Sequence, residues 1–281
     1  MKAFFYYIIS RIPFNSIELL TKFLFPLVYN VLKYRRNVVR SNLSNAFPEL
    51  EYNDLKKLEQ QHYKYIIRLL LETFQLSKWT INTLKKHVYF DEASIKLLNK
   101  LYSSGKSIVI YTGHYGNWEW VVSYLGHVLN HKQMVIYKPI KDKTFESLIN
   151  KNRSKFGTQM ISMNDARESI MQEKGLFSVL VIGDQSPRGK NLYWTKFLNQ
   201  DTCFFKSAFD IAENRNLTQL YLKTDVSSQG HYKLSLQMIN DSNQDKSSDK
   251  CLEEYVSLLE ADIKKQPVYW LWTHKRWKHK R

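Results

Sequence analysis

The amino-acid sequence predicts an α/β fold: a mixed, largely parallel central sheet flanked by helices. Two observations carry that expectation. Beyond Gly105, short β-branched runs alternate with stretches of helical period, the pattern in which strands joined by crossover helices lie parallel. Residues 217–239, by contrast, read as a hairpin turning at 227–230, which adds an antiparallel pair. A third observation sets off the amino-terminal part, where the pattern is helical and no such runs occur.

In chain order, residues 3–9 are apolar, Arg11 and Pro13 intervene, and 14–32 are apolar apart from Asn15, Ser16, Glu18, Thr21, Lys22 and Asn30. No small-residue cleavage site follows the first run, so a secretory leader is not expected. A spanning helix wants roughly 20 apolar residues with few charges, and Glu18 and Lys22 weigh against one. Ile17, Leu20, Leu24, Leu27, Val28 and Val31 recur at helical spacing, which fits an amphipathic helix lying in a bilayer interface. Lys33, Arg35, Arg36 and Arg40 follow, as in a cytoplasmic flank facing anionic lipid. An ordinary buried helix with a solvated edge is the plainer alternative; the two features together favour the membrane. Residues 1–40 are therefore expected to form a membrane-associated anchor with a basic flank, 41–104 a helical region, and 105–281 the α/β domain.

From 41 to 101 the period is helical, with a helix through 55–74 that Asn53 or Asp54 could cap. Candidate strands follow at 107–112, 133–137, 177–182, 219–224 and 232–238, and candidate helices at 118–129, 143–156, 165–174 and 204–213. Residues 240–250 are polar and read as a surface loop. A helix over 252–264, an aromatic stretch at 268–272 and a basic tail close the chain.

Charge narrows the partners. The 281 residues hold 42 Lys+Arg against 26 Asp+Glu, a formal net charge of +16. That excess favours an anionic membrane face, a nucleic acid or an acidic carrier protein. The 18 Tyr and 7 Trp suit a lipid interface or stacking on single-stranded bases. Cys203 and Cys251 show no metal-ligand spacing and read as reduced thiols. No metal or organic cofactor is implied. Walker, dinucleotide-glycine, H-E-x-x-H and G-x-S-x-G patterns are absent from the sequence, so the readings they carry have no support.

The chemistry concentrates at 107–120, S-I-V-I-Y-T-G-H-Y-G-N-W-E-W. Positions five apart on one helix point about 140° away from each other. His114 and Glu119 therefore meet only if the histidine sits in a loop after a strand and the carboxylate in the first turn of a helix opening at Asn117. That arrangement places an imidazole beside a carboxylate at the carboxyl edge of a sheet, where open α/β folds carry their sites. Such an imidazole takes a proton from a hydroxyl near neutral pH. Asn117 could cap the helix, leaving neighbouring N–H groups to face an oxyanion. Asp184 and Gln185 follow the strand 177–182 and share the edge of His114 if the two strands are parallel; a turn ahead of Pro187 is an equal alternative. Arg153 and Arg167 could clamp phosphate or a polarised carbonyl, against the default of a solvated helix face. The aromatic segments 194–199 and 269–272 could line an acyl channel, although core packing is the commoner role.

With these residues in view, the chain resembles the lipid A late acyltransferases, the lauroyl/myristoyl transferases within the lysophospholipid acyltransferase superfamily. The resemblance covers nearly the whole length. It rests on N-L-S-N-A-F-P-E at 42–49, the G-H-x-G-N-W-E block at 113–119, Arg153 ahead of Gly157, the pair Asp184–Gln185, and an aromatic and basic pattern over 269–278. Glycerolipid relatives generally carry H-x-x-x-x-D and a later E-G-T. This chain has glutamate at that position and no E-G-T after His114, which favours the lipid A branch. The resemblance implies a glycerolipid-acyltransferase-like sheet and transfer of a fatty acyl group from an acyl carrier protein thioester, or acyl-CoA, to a hydroxyl of a lipid A precursor. It implies His114 as general base, Glu119 orienting it, Arg153 and Asp184 in support, and a place on the cytoplasmic face of the inner membrane. Two other readings stand beside it: an acyltransferase acting on an amino-acid lipid, lysolipid or glycolipid, and a non-enzymatic basic protein of membrane or nucleic acid. No nucleic-acid partner is expected on the first reading.

Overall fold

Helices fill the amino-terminal part of the computed structural model, which describes residues 8–139, 141–187, 189–228, 230–242 and 246–279. The apolar run at 3–9 thus lies mostly outside the described residues. Helix α1 (Ile17–Pro26) ends at its proline and passes into a π-turn, Leu27–Val31. Lys33 and Arg35 then take positive φ values of 48° and 52°, turning the chain into α2 (Arg36–Ala46). Ile17 and Thr21 are buried, and Ile17 packs with Ile67 and Leu71 of the long α3 (Tyr52–Gln75). Leu19, Phe23, Leu27 and Val31 lie exposed. Among the described residues, no helix is long and apolar enough to cross a membrane. Helix α3 starts at Tyr52 without a side-chain cap, so neither Asn53 nor Asp54 caps it.

A short α4 (Ile81–Leu84) leads into β1 (Val88–Phe90) and α5 (Glu92–Ser103), capped by Asp91. Strand and helix then alternate: β2 (Ile108–Thr112), α6 (Trp118–Val128), β3 (Lys132–Tyr137), α7 (Lys143–Ser154), β4 (Gln159–Ser162), α8 (Ala166–Gln172) and β5 (Phe177–Ile182). The hairpin β6 (Leu192–Phe197) and β7 (Gln200–Phe205) stands apart as a two-stranded sheet. Helix α9 (Ser207–Asn214), the long pair β8 (Thr218–Ser228) and β9 (His231–Asn240), and α10 (Ser248–Lys265) complete the order.

The main sheet has seven strands in the order β1-β9-β8-β2-β5-β3-β4. Every neighbouring pair in it is parallel except β8–β9, which gives the mixed, largely parallel sheet the sequence predicts. Strand β2 lies in its middle, Ile110 beside Leu180 of β5 and Leu220 of β8. All five of its residues are buried, as an unbroken apolar run between two helical layers must be. The ring of Tyr111 stacks on Phe209 of α9 at 4.1 Å between centroids.

Three strand features depart from expectation. β1 lies in the segment read as helical; with three residues it is too short to show a period. β4 is an edge strand in what reads as a loop. The stretch 192–205 is a hairpin, whose turn residues Leu198 and Asn199 both have positive φ, 50° and 63°. Such two-residue turns are ordinarily signalled by Asn-Gly or Asp-Gly. Here a leucine stands first, fully buried, with its N–H held by Glu260 Oε2 at 2.7 Å.

Candidate active site

Parallel pairing of β2 with β5 builds the site. Thr112 is in register with Ile182, and two residues beyond each, His114 and Asp184 face one another at the carboxyl edge. Asp184 Oδ1 accepts the proton of His114 Nδ1 at 2.5 Å. Its Oδ2 accepts from the His114 backbone N–H at 2.8 Å and from Trp270 Nε1 at 2.7 Å. Gly113 permits this closeness: a Cβ there would stand 2.6 Å from Leu259 Cδ1 and 3.3 Å from Asp184 Oδ2. Asp184 is almost wholly buried. Burial alone would raise its pKa, but the charge of His114 and the hydrogen bonds from His114 and Trp270 outweigh it and hold the carboxyl below its ordinary value. It is therefore ionised at neutral pH.

With Nδ1–H committed to Asp184, Nε2 of His114 carries the lone pair. It faces outward, where the Gln185 side-chain amide donates to it at 3.1 Å. Trp118 stands edge-on to the imidazole, centroids 5.0 Å apart. The strand-to-helix junction expected at 113–118 is thus present, and Asn117 caps α6 by accepting the Trp120 N–H at 3.1 Å.

The carboxylate partner of the histidine is Asp184 and not Glu119, which corrects the pairing read from spacing. Glu119 does lie in the first turn of α6, yet its oxygens are turned to α7. Arg153 Nε and Nη2 donate to Oε2 and Oε1, each at 2.7 Å, and Trp118 Nε1 donates to Oε1 at 3.0 Å. Burial would lower the Arg153 pKa, but the Glu119 charge and hydrogen bonds raise it. Arg153 therefore grips a carboxylate of its own chain, and Arg167 lies exposed on α8. The Trp118 indole touches both pairs, its ring against His114 and its N–H on Glu119.

The amide side chain of Asn117 donates inward, to Glu72 Oε2 at 2.9 Å. The Tyr115 and Gly116 N–H groups are taken by Gly113 O and Tyr269 O. The Trp120 and Val121 N–H groups of α6 are taken by Asn117, so what remains for an oxyanion is the N–H groups of Trp118 and Glu119 in its first turn, which a helix cannot satisfy internally. Among the described residues, no group of three or more His, Cys, Asp or Glu is disposed to hold a metal ion.

The sequence reading offered 269–272 as a possible acyl-channel wall but did not connect the carboxyl-terminal segment to Asp184 and its loop. Besides Trp270 on Asp184, His274 Nε2 accepts the Ser186 backbone N–H at 3.0 Å, pinning the loop that bears Asp184 and Gln185. Arg276, within the segment read as a basic tail, is 1% exposed. It donates to Thr202 Oγ1 and Cys203 O of the hairpin and lies 4.2 Å from the centroid of Phe204. Burial brings its pKa down to about 10. The interleaved tryptophans of the tail were the available signal, since they are too many for a solvated strand of charge.

Two histidines give this arrangement an acid limit. Burial lowers His274 to about 4 and likewise His62, whose Nδ1–H donates to Val268 O at 3.0 Å, to about 4. In the unfolded chain each takes its proton near the ordinary value of about 6.5. Between those values the unfolded state binds more protons, so stability is full above pH 6.5 and falls as the pH drops toward 4. The fully buried His62 accounts for about 3 kcal/mol of that loss. Urea unfolding midpoints measured from pH 7.5 to 4.5 should fall accordingly. His62→Asn, which retains a donor for Val268, should make the slope shallower.

A sequence model of a protein family, described as bacterial lipid A biosynthesis acyltransferase, matches residues 1–279. No curated protein matches the chain.

Proposed function

The chain belongs to the bacterial lipid A biosynthesis acyltransferase family and is an acyltransferase, and from that premise we propose that it moves a fatty acyl chain from an acyl carrier protein thioester to a hydroxyl of a lipid A precursor with His114 as the base. The acceptor hydroxyl takes the place of the Gln185 amide at Nε2 and gives up its proton there. Its oxygen attacks the thioester carbonyl carbon, and the tetrahedral oxyanion is held by the Trp118 and Glu119 N–H groups at the start of α6, each such donor being worth ~3 kcal/mol. Collapse breaks the C–S bond; the departing sulfur takes the proton back from the imidazolium. Asp184 keeps the imidazole in the Nδ1–H tautomer and stabilises its charge in between. Glu119 acts one step removed, fixing Trp118 against the ring.

The observation that carries this reading is the buried Asp184 on Nδ1 with Nε2 left to the surface. The exposed row Leu19, Phe23, Leu27 and Val31, followed by Lys33 and Arg35, supports a seat in the cytoplasmic interface of the inner membrane. The net charge of +16 suits an acidic carrier protein as donor, so acyl transfer from it should weaken as salt rises. The test is transfer to lipid A precursors and to other lipid hydroxyls by detergent-solubilised protein given acyl carrier protein or acyl-CoA donors. His114→Ala should reduce the rate on the order of 10³-fold; undiminished transfer would falsify the mechanism, and a preference for another acceptor would move the substrate assignment.

A further inference from the structure

A cavity of about 380 Å³ lies between α1, α3, the β8–β9 turn and the Val268–Tyr269 segment, and none of His114, Glu119, Asp184 or Gln185 lines it. Three cations, Lys22, Lys64 and Arg68, face it against one carboxylate, Glu18. The Lys22–Glu18 pair is largely exposed, so water screens most of its attraction. Arg68 donates to the buried Glu72 at 2.6 Å, and the Lys64 ammonium stands 5.3 Å from the Phe25 ring centroid. Thr21 also lines the cavity; it is 7% exposed, and its Oγ1 has no hydrogen-bond partner. A buried hydroxyl left unpaired is costly, and among cations it offers a donor to an anion.

The cavity is set before any ligand arrives. Tyr65 and Tyr232 in its wall are fixed by hydrogen bonds of 2.7 Å to Gly116 O and Glu72 Oε2, so filling it orders little that is not already ordered. It also adjoins α1, whose outer face carries exposed Leu19 and Phe23. A headgroup lying at the level of that helix would enter it from the side.

We propose that this cavity binds an anionic phosphomonoester headgroup, its oxygens taking the Thr21 hydroxyl and the Lys22 and Lys64 ammonium groups. This goes beyond the acyl-transfer reading, and its test does not use activity. Full-length protein in neutral detergent is titrated with dihexanoyl phosphatidic acid below its micellar range, followed by phosphorus NMR line broadening. Dihexanoyl phosphatidylcholine and inorganic phosphate serve as parallel probes. Saturable binding of phosphatidic acid is expected, at least about tenfold tighter than of phosphatidylcholine, and weakened about tenfold by Thr21→Val and further by Lys64→Glu. Lys64 is exposed and Thr21→Val is isosteric, so both variants should melt cooperatively like the parent. Inorganic phosphate bound as tightly, with the same dependence on Thr21 and Lys64, supports the site and assigns it to free phosphate; tighter phosphatidic acid assigns it to lipid. Equal binding of phosphatidylcholine, or no change in either folded variant, overturns the proposal.

Discussion

Asp184→Asn is expected to lower acyl transfer on the order of 10³- to 10⁴-fold while leaving the protein folded. The reason lies in the count of donors around the carboxylate. Oδ2 receives two N–H groups, from the His114 backbone and Trp270, and Oδ1 receives one, from the imidazole. An amide has a single acceptor oxygen. Turned toward the imidazole, it would set its own NH₂ against two buried donors, so it turns the oxygen to those two and the NH₂ to Nδ1. The imidazole must then accept at Nδ1 and carry its proton at Nε2, where the substrate hydroxyl needs a lone pair. Base catalysis fails through the tautomer although every buried donor stays paired. Asp184→Ala differs: it strands the Trp270 and His114 N–H groups at about 1–3 kcal/mol each, and should lower stability as well. Nitrogen NMR of labelled histidine reads the tautomer directly, beside rate and urea midpoint. An Asp184→Asn protein within tenfold of the parent rate would remove the histidine–aspartate pair from the chemistry.

How the pair was and was not visible in the sequence follows from the geometry of the sheet. The runs at β2 and β5 are apolar, β-branched and buried, so each signals a strand, and the strand-to-helix junction places His114 by itself. Spacing tests only local partners, however, and Glu119 was the nearest carboxylate along the chain. The true partner is brought in by strand order: β2 and β5 are neighbours in the sheet with 64 residues between Thr112 and Phe177. Asp184 and Gln185 were placed on the same edge on condition of parallel strands, and the condition holds. The carboxyl-terminal contribution was hidden differently. Arg276 is buried against the β6–β7 hairpin and His274 is half-buried against the 184–186 loop, whereas composition ranks such polar residues as surface.

Arg153→Ala is expected to cost about 3–5 kcal/mol of stability, because it leaves the Glu119 carboxylate enclosed without its counter-ion. The side chains of the pair are only 14% and 11% exposed, and the two parallel 2.7 Å bonds make the grip bidentate. Arg153→Lys should fall between, keeping the charge and losing the fork. The double variant Glu119→Leu with Arg153→Met removes both charges together and should regain most of the lost stability, as apolar replacement of buried ion pairs does. Acyl transfer should not return with it. Trp118 Nε1 loses its acceptor, and the indole no longer holds its edge on the imidazole, so the rate should stay down at least about 100-fold, a loss of positioning. Trp118→Phe, which preserves a ring beside His114 without the N–H, should lose less. Comparing urea midpoints with single-turnover rates across this set separates two possibilities that a single Glu119 variant confounds. If stability and rate recover together in the double variant, the ion pair is scaffolding alone. If Trp118→Phe is unimpaired while the double variant remains slow, Glu119 acts on the reactants themselves and its assignment through Trp118 is wrong.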